Sequence, residues 1–219
     1  YLKDAVEKDK NFSKRSYFGK TPLHVAAGEG RLEVVRLLVP LYEDLNILDP
    51  RKNSCLMDGV RGCHVDVAKY LKSNGASLNE DFASNELFEA CSVGDVKKVD
   101  LLLRLGVNPS LNPPGRRRGA ARRRRSAAHM AASNNHIDCL KLLVKSYVNL
   151  NTYDDWTGTP LADAVRHMHL EMQDVLREHG AKLKEVGLCT AAAKGDIAKI
   201  KLMCDNGANI NVTNYIGRT

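Results

Sequence analysis

The chain has 219 residues, of which 43% are hydrophobic, 27% charged and only 5% aromatic, a balance that fits a soluble folded protein and argues against an aromatic-rich β-sandwich core. Its 33 basic and 26 acidic residues leave a net charge of +7, and the seven arginines between Pro113 and Arg125 account for all of it, so a uniformly basic fold is excluded. No run of about 18 apolar residues is present, which excludes a conventional membrane-spanning helix.

Residues 1–16 are irregular. Leu2, Ala5 and Val6 fit one face of a helix, while Lys8 to Ser16 is polar and basic, an eroded repeat or a linker. From Gly19 the pattern tightens. Thr21 suits a helix cap and Pro22 the first helical turn, where no N–H is needed. Leu23, Val25, Ala26 and Ala27 make a small apolar face, Gly30 breaks the chain, and Val34, Val35, Leu37 and Leu38 are spaced for burial in a second helix. Leu23 returns 33 residues later as Leu56, and the next equivalents are Leu87, Ala128, Leu161 and Leu188. Six units result, with Gly217-Arg218-Thr219 opening a seventh.

The units are not identical. Ser54-Cys55-Leu56-Met57 replaces the first box in the second unit, where Gly59 should weaken the helix by about 1 kcal/mol. The third and sixth units start directly at Leu87 and Leu188 and share the pattern L-x-x-A-x-x-x-G-D. Leu23 to Ala128 and Leu56 to Leu161 are both 105 residues, which points to duplication of a three-unit cassette. Asn46, Asn79, Asn108, Asn151 and Asn211 recur at the turns, where their side chains bond local backbone.

The Gly19-Lys20-Thr21-Pro22-Leu23-His24-Val25-Ala26-Ala27 box, Gly30 and the Leu32–Leu38 segment resemble the ankyrin-repeat family. The resemblance implies an all-α ankyrin-repeat solenoid over residues 17–219, built of helix-turn-helix units with short β-hairpin connections. A narrower likeness rests on Asn151 to Ala164 and on Val175 to Lys182. These are similar to ankyrin segments beside plant Raf-like kinase domains and at the C-termini of glutaminases and bacterial-type asparaginases. The chain contains none of those enzyme domains, so no catalytic residue carries over. In the family, hairpin tips and inner helices line a concave groove. That geometry makes Arg51, Lys52, Asp154, Asp155, Arg166 and His167 candidates for partner contact, with Tyr153 and Trp156 as aromatic anchors.

The third and fourth units are separated by eight extra residues, placed in the insertion 113–125. Arg116, Arg117, Arg118, Arg122, Arg123, Arg124 and Arg125 repel one another and have no apolar anchor. A solvated loop is one reading. A docking site for an acidic protein surface, a microtubule or anionic lipid is another. Nucleic acid has weaker support, because no aromatic stacking platform accompanies the charge.

Catalysis and metal binding find little footing. His24 and His129 occupy the family's box histidine position, where the ring commonly bonds backbone in the neighbouring unit. His64, His136 and His169 share a second equivalent position. No CxxC spacing links the six cysteines, so free thiols in a reducing compartment are expected rather than zinc. Asp154, Asp155 and Asp163 lie in an open groove rather than a desolvated cleft. The expected function is therefore a protein–protein interaction module or scaffold in a longer cytoplasmic or nuclear protein, not an enzyme and without a cofactor. A regulatory appendage of an enzyme or ion channel, or a structural subunit of a large assembly, are the alternatives.

Overall fold

The computed structural model describes residues 19–111, 125–155, 158–183, 188–205, 207–208 and 210–211. The capping positions act as their residue types require. Thr21 Oγ1 accepts from His24 N at 3.4 Å, and Pro22 opens α1 (Pro22–Gly28). Ser54 and Thr159 likewise cap α3 (Cys55–Arg61) and α9 (Pro160–Arg166), accepting from Met57 N at 3.4 Å and Ala162 N at 3.3 Å. The remaining helices are α2 (Leu32–Leu38), α4 (Val65–Ser73), α5 (Glu80–Val93), α6 (Val96–Arg104), α7 (Ala127–Ser133), α8 (Ile137–Lys145), α10 (Leu170–Glu178), α11 (Leu188–Ala193) and α12 (Ile197–Asp205).

The expected β-hairpin connections are absent, because no strand occurs among the described residues. The physical reason is visible at the first tip. Asp49 N donates to Asn53 O at 2.8 Å, as in the first rung of a ladder. The return bond goes elsewhere: Asn53 N donates to the Asp49 carboxylate at 2.8 Å, not to a backbone carbonyl. A carboxylate has replaced the second half of the rung, leaving an Asx-type turn and no ladder. The second tip does the same, with Asp154 N to Gly158 O at 3.0 Å and Gly158 N to Asp154 Oδ1 at 2.7 Å. In the third unit the tip is replaced by helix. There α5 runs 14 residues, against 7 in α1, and Asn79 Oδ1 caps it by accepting from Phe82 N at 3.0 Å.

The chain divides into two compact units, Tyr1–Ala83 with Asp100–Val107, and Ser84–Val99 with Asn108–Thr219. In the first, α1 packs on α3 and α2 on α4, burying Leu23, Val35, Leu56, Val67 and Leu71. In the second, α7 packs on α9 and each of them on its own outer helix, burying Ala128, Leu140, Leu143, Leu161, Met172 and Leu176. Small residues on the inner helices (Ala26, Ala27, Ala131, Ala132, Ala164) permit this close approach.

One burial expectation fails. Of Val34, Val35, Leu37 and Leu38, only Val35 is fully buried, while Val34 is 45% and Leu37 62% exposed. At the Val34 position of the second, fourth and fifth units, Val67, Cys139 and Met172 are at most 1% exposed. There they pack on the preceding unit; α2 is the first outer helix of the described residues and has no such neighbour.

The interhelix turn puts Gly30 in the left-handed region, with φ of 69°. A Cβ on Gly30 would stand 2.5 Å from the His64 ring, and one on Gly94 2.6 Å from His136. Glycine there makes room for the histidine of the next unit.

Candidate interaction surface

The histidines tie unit to unit. His64, His136 and His169 donate Nε2–H to Gly28 O, Ser92 O and Ser133 O at 2.9, 3.2 and 3.1 Å. Those carbonyls end the inner helix of the preceding unit, so the rings cap its free acceptors. His24 and His129 reach the next tip, donating Nε2–H to Asn53 O at 3.0 Å and Gly158 O at 3.1 Å. Their Nδ1 atoms then accept from the Thr21 and Ser126 hydroxyls, both at 2.8 Å. This double use requires the neutral ring. Burial pushes the His129 pKa below its ordinary value, partly opposed by the Gly158 carbonyl and Asp163.

The tips rest on buried carboxylates. Asp49 Oδ1 accepts from Arg51 N and Asn53 N, both at 2.8 Å, and Oδ2 from Asn53 Nδ2 at 3.2 Å. Burial works against its charge, but the bonds from Asn53 and Arg51 outweigh it and hold the carboxyl below its ordinary value. Below each tip an ion pair crosses to the next inner helix. Lys20 Nζ meets Asp58 Oδ2 at 2.9 Å. Arg125 Nη2 meets Asp163 Oδ2, and Arg166 Nη1 meets Asp163 Oδ1 at 2.8 Å. Asp163 is fully buried, so two guanidinium groups compensate one desolvated charge.

These bonds recur with an offset of 105 residues. Lys20, Thr21, His24, Asp49, Asp58 and His64 correspond to Arg125, Ser126, His129, Asp154, Asp163 and His169. Asn46 Oδ1 accepts from Ser77 N at 2.8 Å, and Asn151 Oδ1 from Lys182 N at 2.7 Å. The cassette duplication read from residue spacing is thus a duplication of atomic contacts.

The predicted contact residues fall into three groups. Arg51 and Lys52 are exposed on the first tip. Around the second tip Tyr153, Asp155, Arg166 and His167 are exposed and Asp154 is buried in the turn. A Cβ at Gly158 would lie 3.2 Å from Asp154 Oδ1 and 3.5 Å from Arg166 Nη2, which puts the Arg166 guanidinium at that tip. His167 stacks on His169 with ring centroids 5.8 Å apart, and partial burial lowers its pKa. Trp156, Arg116, Arg117, Arg118, Arg122, Arg123 and Arg124 lie outside the described residues. Arg125 is engaged in the stack through Asp163 and through the His129 carbonyl at 3.4 Å.

Sequence reasoning put Val25 in the apolar face of α1 and did not single out Leu48; both are exposed apolar side chains, on α1 and beside the first tip. It also considered Asp163 as a partner of Asp154; the signal for its true role was the matched offset of Lys20–Asp58 and Arg125–Asp163. Among the described residues no three His, Cys, Asp or Glu side chains come together to hold a metal, and no helix is long and apolar enough to cross a membrane.

Comparison with known proteins agrees with this architecture. A family model described as ankyrin repeats (3 copies) matches residues 1–81 and 87–186. The probable 26S proteasome regulatory subunit p28 of Saccharomyces cerevisiae is 39% identical over 92 residues, covering 40% of each chain. L-asparaginase of Dirofilaria immitis is 30% identical over 136 residues, 59% of this chain and 22% of that protein. The potassium channel AKT2/3 of Arabidopsis thaliana is 32% identical over 90 residues, 41% of this chain and 11% of the channel. The matches therefore span well under half the length of these relatives. The human ASB11 ankyrin repeat domain superposes with a TM-score of 0.59 at 28% identity, covering 91% of this chain and 90% of that one. With the same capped boxes, inter-unit histidines and helix pairs repeated along its length, the chain belongs to the ankyrin-repeat family.

Proposed function

We propose that this segment is a protein-binding scaffold of an intracellular protein, whose contacts are made by the tips and the exposed edges of the inner helices. One observation carries the reading. The polar residues that recur between cassettes are engaged in scaffold bonds, and Val25, Leu48, Arg51, Lys52, Tyr153, Asp155 and His167 are exposed at tips and inner-helix edges, as is Arg166 beside its partner Asp163. Mixed apolar, aromatic and arginine side chains are the composition of an interface. The arginines between residues 116 and 124 add an electrostatic dock for an acidic protein surface, a microtubule or anionic lipid, with contacts that weaken as salt rises. Site-specific photo-crosslinking tests the reading in the native full-length protein. Probes at positions 25, 48, 51 and 153 should capture a partner, and probes at outer-helix positions 66 and 72 should not; capture from the outer positions alone would refute it.

Two settings suit such a scaffold. The likeness to a proteasome regulatory subunit favours a fixed place in a large assembly. The likenesses to an asparaginase and a potassium channel favour a regulatory arm on a longer chain. Mass spectrometry of the native protein separates them: stoichiometric partners retained through high salt indicate the first, an enzyme or channel domain on the same polypeptide the second.

A further inference from the structure

The duplication lets the chain be aligned with itself, and the alignment sorts frame from surface. At the two tips the frame is shared: a buried aspartate, its bond to the fourth residue on at 2.8 and 2.7 Å, and a box histidine on the closing carbonyl at 3.0 and 3.1 Å. What the frame displays has changed. Leu48, Pro50, Arg51 and Lys52 of the first tip correspond to Tyr153, Asp155, Trp156 and Thr157 in the second. A residue needed for the turn would have been kept in both, so the exchanged residues answer to something outside the fold.

We propose that the first tip, Leu48 to Asn53, docks an acidic, extended segment of a partner protein, a preference the second tip does not share. This rests on the scaffold reading above and names the partner class for part of that surface. The Arg51 and Lys52 side chains are exposed, and neither forms an ion pair among the described residues. The acid within the turn, Asp49, is 4% exposed and spends its oxygens on Arg51 N, Asn53 N and Asn53 Nδ2. Lys20, partly exposed, meets the buried Asp58 nearby. The cations sit on a fixed turn: Lys52 has φ of 61°, and its N–H donates to Asp49 O at 2.9 Å. Ordering such a turn on binding costs little. Leu48 and Val25 supply exposed apolar surface, so a segment mixing acidic with aliphatic residues fits better than a bare polyanion. The second tip exposes Asp155, which repels such a segment, and the Arg166 guanidinium there is paired with the buried Asp163.

The test is fluorescence anisotropy of the whole chain with a labelled peptide alternating Glu and Leu, beside a control peptide with Gln for every Glu. The acidic peptide should bind, the Gln peptide should not, and binding should weaken with salt. Arg51→Glu with Lys52→Glu should lose about tenfold or more in affinity, with helical circular dichroism unchanged. The same loss of about tenfold should remain when Arg122→Ser, Arg123→Ser and Arg124→Ser remove most of the other basic dock. Equal binding of the Gln peptide, full binding by the charge-reversed tip, no effect of the charge reversal once Arg122, Arg123 and Arg124 are replaced, or equal displacement by duplex DNA would each overturn the proposal. If the reversed tip still captures the native partner through position 153, only the acidic-partner inference fails; if no inner-edge position captures one, the scaffold reading fails too.

Discussion

His129 holds a ring nitrogen against each of two bonds, and the one accepted at Nδ1 requires the ring to be neutral. Its folded pKa is lowered by burial, while in the unfolded chain it titrates near the ordinary value of about 6.5. The unfolded state therefore takes up the proton first as pH falls. Stability from this ring is complete above the unfolded pKa and declines below it, until the folded pKa is reached. Chemical denaturation midpoints should fall between pH 7 and 5, and His129→Gln should flatten that slope while lowering stability at pH 7. Asp49 acts at a lower pH: its folded pKa is depressed, so its contribution is present above the unfolded carboxyl value and is lost as pH drops through the folded one. Asp163 makes the sharpest residue-scale case. Asp163→Ala leaves Arg125, 17% exposed, without its carboxylate, and breaking a buried pair this way costs about 3 kcal/mol or more. Asp58→Ala should cost less, because Lys20 is 33% exposed and can turn to water. Urea titrations of the two variants compare them directly.

At the scale of the element, most of what residue type controls was legible and most of what neighbours control was not. Thr21, Pro22 and Gly30 announce cap, first turn and break because each acts within a few residues, and the helix boundaries follow them. The tips were misjudged because a β-hairpin and an Asx turn differ by which oxygen Asn53 N chooses, a choice that Asp49 makes once it is buried. The face of α2 was misjudged because periodicity reports that a residue is apolar, and only the next unit decides whether it is covered. Substitution shows the difference. Val35→Asp should unfold the first two helix pairs at a cost of about 4 kcal/mol, whereas Leu37→Asp, on the exposed side, should cost well under half as much. Hydrogen exchange over residues 22–73 would register the contrast, and equal loss of protection would contradict it. Exposure around the tips was legible in part. That Arg51, Lys52, Tyr153, Arg166 and His167 lie at the surface follows from their register, but Asp154 is buried in the turn, and Val25 and Leu48 carry no sequence mark that separates them from core.

For the whole molecule, stability is distributed along the series of units, since each bonds mainly to its neighbours. The arginine run contributes all of the net charge. Replacing Arg122, Arg123 and Arg124 by Ser should shift a thermal midpoint by no more than about 1 °C, the behaviour of surface changes that break no buried contact. Arg125→Ser should lower it by several degrees, because it strands Asp163.

The offset of 105 residues between matched contacts also makes the cassettes exchangeable parts. If residues 22–126 were excised and Thr21 joined to Ala127, Lys20 would face Asp163 as Arg125 does now, and the Thr21 hydroxyl would meet His129 in place of Ser126. The shortened chain should remain helical and unfold cooperatively. Excision of a length out of register, such as 95 residues, would strand the same groups and give an aggregating product. Unequal recombination within such a gene would then alter the length of the protein in steps of a whole cassette, with the seam already bonded when it forms.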